Sequence, residues 1–196
     1  MQHTDRDVLH DSHRRARRAV RHSAQWVAVA LCATLLSACG SSSATLTPAQ
    51  ELQAGISAQR AGNYGVAIAD YLKVLKSNPT NLDALFDLGD AYQLDNRTSD
   101  AEAEYAAALA VDPKLVPAMY NLATLVAKST PYEAVALYEE AIRLAPSNAA
   151  AHFNLGYVLI SLGFRTEGQT QLTIATTLDP ALKSRLGRSL SSGGVG

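Results

Sequence analysis

The 196 residues, 47% hydrophobic and 18% charged, suffice for one ordinary domain or a short repeat array with a buried core, and they exclude wholesale disorder. The net charge of −1 hides a split: residues 1–38 carry six Arg against three Asp (+3) and four of the five His, leaving eleven Lys/Arg against fifteen Asp/Glu (−4) in residues 39–196. An acidic body argues against nucleic acid as a partner, because phosphate binding needs clustered cations, and two cysteines, Cys32 and Cys39, exclude a disulfide-stapled scaffold.

The chain begins with a polar stretch containing Arg14, Arg15, Arg17, Arg18 and Arg21, followed by Trp26 to Leu36, eleven residues without a charge. That length fits the core of a signal peptide and is shorter than the roughly 20 residues a spanning helix needs. Leu36-Ser37-Ala38-Cys39 then leads into Gly40-Ser41-Ser42-Ser43. The four residues ending at Cys39 resemble a bacterial lipobox. That resemblance implies a lipoprotein signal peptide over 1–38, lipid attachment at Cys39 and a mature chain of 158 residues (196 minus 38). Two or three acyl chains, each buried CH₂ worth about 0.8 kcal/mol, anchor a protein stably. The implied location is a bacterial cell membrane or outer membrane, facing the periplasm or exterior. An ordinary secretory signal or an uncleaved anchor are the alternatives. The paired arginines lack the apolar residues of a twin-arginine signal. Residues 39–47 read as a flexible tether.

The rest of the chain is periodic. Pro79, Pro113, Pro146 and Pro180 stand 34, 33 and 34 residues apart. Aligned on them, the second unit reads Leu85, Leu88, Gly89, Tyr92, Ala101, Tyr105 and Ala108. The others carry Gly55, Gly62, Ala67 and Tyr71; Leu122, Ala123, Ala134 and Tyr138; and Leu155, Gly156, Gly163, Leu172 and Ala175. Small residues let two antiparallel helices, A then B, approach, large ones fill the space around them, and proline ends helix B. The pattern predicts A helices near 48–60, 82–94, 115–128 and 149–161. It predicts B helices near 64–77, 98–111, 131–144 and 165–178. Thr47-Pro48-Ala49-Gln50, Ser99 to Glu102 and Thr130 to Glu133 have the form of capping boxes. Gly168, where a packing Ala is usual, predicts a helix looser by about 1 kcal/mol.

These units resemble the tetratricopeptide repeat family over roughly residues 48–180, without its Trp, with Ala58 where Tyr is usual, and with a third unit one residue short between its helices. The resemblance implies an all-α fold, a right-handed solenoid of about four helix-turn-helix repeats (48–81, 82–115, 116–148, 149–182). A short capping helix over 181–187 completes a domain spanning 48–187, and 188–196 form a disordered tail. It also implies that the A helices line a concave, partner-binding face. There one row of positions reads Leu52, Phe86, Tyr120, Phe153, the next Gln53, Asp87, Asn121, Asn154, and a third Ile56, Asp90, Thr124, Tyr157. Amides beside aromatic anchors suit an extended peptide, which makes Phe86, Asp87, Asp90, Tyr120, Asn121, Phe153, Asn154 and Tyr157 the candidate groove. The same rows also fit plain packing, with Asn bonding neighbouring helices and aromatics wedged between them. The family's carboxylate clamp is absent, since its positions in the first unit hold Leu52 and Ile56.

Asp83, Asp87 and Asp90, spaced four and three, share a helix face that reads as a solvated surface or as a dock for a basic segment. His152, the one His after Cys39, reads as structural. Without a second His or a free thiol the mature chain lacks transition-metal ligands and Cys/His catalysis, and no phosphate loop is present. The expectation is a membrane-tethered adaptor for a protein or peptide, with no cofactor, no metal and no small-molecule substrate. A structural or oligomerisation module of a larger envelope complex is the alternative.

Overall fold

The first helix begins where a threonine, a proline and a glutamine stand in order. In the computed structural model, which describes residues 46–186, Thr47 Oγ1 accepts from the Gln50 N–H at 3.3 Å while Gln50 Oε1 accepts from the Thr47 N–H at 2.9 Å. Pro48 occupies the first helical position, where its missing N–H costs nothing. The leader 1–38, Cys39, most of the tether and the tail 188–196 lie outside the described residues. Within them the order is α1 (Pro48–Arg60), α2 (Tyr64–Ser77), α3 (Leu82–Leu94), α4 (Thr98–Val111), α5 (Val116–Val126), α6 (Pro131–Leu144), α7 (Ala149–Ser161), α8 (Arg165–Leu178) and a 3₁₀ turn (Pro180–Leu182). Helical residues 183–186 follow, so the described part of the expected cap is present. Each helix packs on the next in sequence, which stacks the four A–B pairs into a solenoid of helix-turn-helix units. No described helix is long and apolar enough to cross a membrane.

Ends and turns follow local chemistry. Before each repeat proline, the last free N–H closes helix B onto the carbonyl four residues back: Asn78 on Val74, Asp112 on Ala108, Ala145 on Ala141, Asp179 on Ala175. Proline has no N–H to continue the ladder. Asn81 and Asn148, each two residues past a repeat proline, then cap α3 and α7 by accepting from Ala84 N at 2.9 Å and Ala151 N at 3.1 Å. The sequence reading missed both caps, although the Asn after Pro-x was there to be read. The third unit has Leu115 at this position and no side-chain cap, and α5 is shorter than its expected 115–128.

Two of the three expected capping boxes do not form. Helix α4 starts at Thr98 with Arg97 as its N-cap, so Ser99 already lies inside the helix. The Thr130 hydroxyl donates to Glu133 Oε2 at 3.0 Å instead of accepting from a backbone N–H.

Between A and B, units one, two and four turn through a residue with positive φ: Gly62 (78°), Asn96 (61°) and Gly163 (93°). The following N–H reaches back five residues, Asn63 to Ala58, Arg97 to Tyr92 and Phe164 to Leu159, each at 2.9 Å, which satisfies a carbonyl the helix end would otherwise leave open. The third unit has no such residue. Thr130 N bonds Val126 O at 2.8 Å instead, so the missing residue of this unit is the left-handed one.

The core is built from one contact repeated. Tyr71, Tyr105 and Tyr138 from the B helices are 0–1% exposed and lie against Gly55, Gly89 and Ala123 of the A helices. A Cβ added to Gly55 would lie 2.6 Å from Tyr71 Cε1, and one on Gly89 would lie 2.7 Å from Tyr105 Cε1. The fourth unit does it differently, with Leu172 opposite Gly156. There the expected loosening at Gly168 is corrected: a Cβ on Gly168 would lie 2.6 Å from the Gly156 carbonyl oxygen, so the glycine is what lets α7 and α8 come together. Its helix-propensity cost is real, but alanine would not fit without moving a backbone.

Candidate functional site

The A-helix rows are largely engaged within the protein. Asn121 Nδ2 donates to Asp90 Oδ1 at 2.9 Å and to the Tyr105 hydroxyl at 3.2 Å. Tyr105 itself donates toward Asp90 Oδ1 at 2.5 Å, with Gln93 Oε1 at 2.9 Å. Asn154 Nδ2 donates to the hydroxyls of Tyr120 at 3.1 Å and Tyr138 at 3.3 Å, and Tyr138 also bonds Thr124 at 2.9 Å. Both hydrogens of each amide nitrogen are therefore spent on the neighbouring unit. The Asn row stitches A helices together and does not offer its donors to a peptide backbone.

The aromatics divide. Phe86 is half-buried against Tyr105, with ring centroids 5.8 Å apart, and Tyr120 is half-buried edge-on to Tyr138 at 5.9 Å. Phe153 is only 4% exposed. It sits in a small cluster with Leu172, Ala175 and Leu182, its ring 4.9 Å from that of Tyr157 and covered by the Arg185 guanidinium at 5.0 Å. The C-terminal cap, through Leu182 and Arg185, thus covers much of this ring. His152 is buried between Gln171 Oε1 (2.6 Å from Nδ1) and the Pro146 carbonyl (3.1 Å from Nε2), which accounts for it as packing.

Among the described residues, two clefts on this face are the same place twice. One, of about 380 Å³, is lined by Ile56, Gln59, Arg60, Tyr71, Asp87 and Leu94, between α1 and α3. The other, of about 420 Å³, lies between α5 and α7 and includes Thr124, Ala127, Tyr138 and Asn154, the counterparts of Ile56, Gln59, Tyr71 and Asp87 two units on, together with Phe153, Tyr157 and Arg185. In the intervening gap between α3 and α5, Asp90 occupies the position of Ile56 and Thr124, and its bonds with Tyr105 and Asn121 bridge the two helices. Of the expected groove residues, Asp87 thus falls in the first cleft and Phe153, Asn154 and Tyr157 in the second. Asp90 and Asn121 form the bridge between them.

The electrostatics follow burial. The Asp87 carboxyl is pushed up to about 6, first by burial and then by the charges of Asp90 and Asp83. Burial raises Asp90 too, against the opposing effect of hydrogen bonds from Tyr105 and Asn121. Tyr105 is driven up by burial and by the Asp90 carboxylate beside it. Among the described residues no three His, Cys, Asp or Glu side chains gather as a metal site. A third cleft, of about 620 Å³, lies along α7 and α8 among Ile160, Arg165, Thr166, Gln169, Thr170 and Thr173, none of which the sequence reading singled out.

Sequence models for the tetratricopeptide repeat match residues 52–117, and for the TPR repeat residues 132–163. No curated protein matches the chain in sequence. Solved structures do: MamA protein is 25% identical over 68% of this chain and 73% of its own, with a TM-score of 0.65. TTC0263, a TPR protein of Thermus thermophilus, is 23% identical over 75% and 84%, with a TM-score of 0.60. The first TPR of Spaghetti (RPAP3), bound to an HSP90 peptide, is 22% identical over 59% and 93%, with a TM-score of 0.56.

Proposed function

We propose that this chain, which carries tetratricopeptide repeats, is an adaptor that binds a segment of a partner protein across the two clefts of its A-helix face, and that it is not an enzyme. The observation that carries the reading is the pair of equivalent clefts, of about 380 and 420 Å³, set two units apart on an otherwise internally bonded face. Each has an apolar part, with Ile56 and Leu94 in one and Ala127, Val158 and Phe153 in the other, and ionisable groups in its lining, Arg60 and Asp87 in the first and Arg185 in the second. That combination suits side-chain anchors of an extended segment. The RPAP3 domain holds a peptide on the same fold, but at 22% identity the likeness extends to the fold alone, so the reading rests on this chain's own clefts.

The adaptor acts, in this reading, outside a bacterial membrane, held there by lipid on Cys39. The support is the Leu36-Ser37-Ala38-Cys39 sequence after an apolar run. From Cys39 to the first helix at Pro48 the chain spans nine steps, at most ~30 Å when extended. The start of the first helix would then lie within that distance of the lipid surface.

Two measurements test the two halves. Ile56→Trp combined with Ala127→Trp fills both clefts, so cross-linked capture of envelope proteins by the full chain should be lost while thermal stability holds. Capture that survives with both clefts filled defeats the groove. Cys39→Ser removes the acylated thiol, so the protein should leave the detergent phase or accumulate with its leader attached. Identical partitioning and processing of wild type and variant defeat the anchor.

A further inference from the structure

We infer that the second cleft recognises a glutamate side chain of the partner segment, with Arg185 as its counter-charge. The inference deepens the groove reading above and rests on it. Of the lining residues Thr124, Ala127, Tyr138, Phe153, Asn154, Tyr157, Val158 and Arg185, the arginine alone carries charge. Several polar groups of the lining are already committed: Thr124 and Tyr138 bond each other, and Asn154 spends its amide hydrogens on Tyr120 and Tyr138. Arg185 itself has no carboxylate partner among the described residues, whose ion pairs are Lys73–Asp70, Arg97–Asp100 and Arg143–Glu140. Its guanidinium carbon lies over the ring of buried Phe153, 5.0 Å from the centroid, a cation–π contact that favours this placement of an otherwise exposed side chain.

A guanidinium held over a ring face keeps its N–H edges for other partners, and its planar fork matches a carboxylate in two parallel hydrogen bonds. One cation balances one carboxylate, whereas a doubly charged phosphate calls for more positive charge than this cleft holds. The floor of Ala127, Val158 and Phe153 accommodates an aliphatic stem, which favours glutamate, with its two methylenes, over aspartate. This is a different place from the clamp positions of the first unit, which hold Leu52 and Ile56.

The test is selection of random peptides displayed against the immobilised full chain, in wild type, Arg185→Gln and Arg185→Lys forms, with helicity and melting checked for each. Wild type should enrich peptides bearing a glutamate, Arg185→Gln should not, and Arg185→Lys, which keeps charge without the fork, should do so weakly. For the best wild-type peptide, changing its glutamate to glutamine should weaken binding about 10-fold, the scale of one hydrogen bond to a charged group. The same change should matter less than about 2-fold for Arg185→Gln, because the two losses are one interaction. The peptide change reads the site even if a protein variant folds poorly. Selected peptides without acidic residues, or equal sensitivity to the glutamate in all three forms, overturn the inference and leave the groove standing. Selection of no peptide overturns both, and a solution mass that then doubles with concentration puts a second copy of the chain on this face instead.

Discussion

Replacing Gly89 by alanine sets two opposed effects against each other. Alanine is the better helix former by about 1 kcal/mol. Its methyl group, however, would lie 2.7 Å from Tyr105 Cε1 and 2.8 Å from Cδ1, where carbon atoms normally rest ~3.5–4.0 Å apart. The ring has nowhere to go. Tyr105 is fully buried, and its hydroxyl is fixed by Asp90, Gln93 and Asn121. Overpacking of this kind costs about 1–3 kcal/mol, and the shift loosens a hydrogen bond worth about 1 kcal/mol more. The expected net loss is about 1–3 kcal/mol, or roughly 3–10 °C in Tm for a domain of this size. Gly65→Ala is the matched control: nothing lies within 4 Å of its Cβ position near the start of α2, so the same substitution should stabilise by about 0.5–1 kcal/mol. Far-UV circular dichroism during urea and thermal unfolding reads both. Tyr105→Phe, which frees the ring from its anchors, should soften the penalty at Gly89. A Gly89→Ala protein as stable as wild type would refute the view that A and B helices are held at a separation only glycine permits.

Two further outcomes follow from the site. Because the folded Asp87 carboxyl sits at about 6 against 3.8 in a free carboxyl, the folded chain binds this proton more tightly than the unfolded chain, so stability should rise as pH falls from above 6 toward 4. Asp90 shifts the same way, and Asp87→Asn should flatten the slope in thermal melts across that window; a slope that the substitution leaves unchanged refutes the assignment. Phe153→Ala empties a site packed by Leu172, Ala175 and Leu182 and should cost about 3 kcal/mol in denaturant unfolding, whereas a loss under ~1 kcal/mol would mean that the ring is a spare anchor for a partner.

The helix limits were legible because proline, threonine and glycine act locally: of the eight repeat helices among the described residues, seven run as their spacing predicts, and the remaining one, α5, departs where Leu115 removes the cap and the left-handed turn residue is missing. The boxes at Ser99 and Thr130 misled for the converse reason. A four-residue pattern does not say where the preceding turn will release the chain, and here the helix takes Arg97 as its N-cap, two residues before Ser99. The internal bonding of the A-helix rows was not legible. Register aligns these residues along the A helices, but register carries no information on whether a side chain's hydrogens are already taken. Asn121 and Asn154 look alike in sequence whether they await a peptide or bond a tyrosine 16 residues back. Gly168 likewise read as a weak helix former, since its necessity comes from the Gly156 carbonyl on another helix.

The bond from Asn121 to Asp90 has a consequence for modularity. Repeats of this kind invite treatment as interchangeable cassettes, each cut out or copied at the prolines. Excising 34 residues, 82–115, would bring Asn121 against Ile56 in place of Asp90, with Tyr71 standing in for Tyr105. The hydroxyl partner would survive and the carboxylate would not, leaving an amide hydrogen facing a methyl group. The units of this chain are therefore written in a fixed order: the second can be followed by the third because one supplies the acceptor that the other requires.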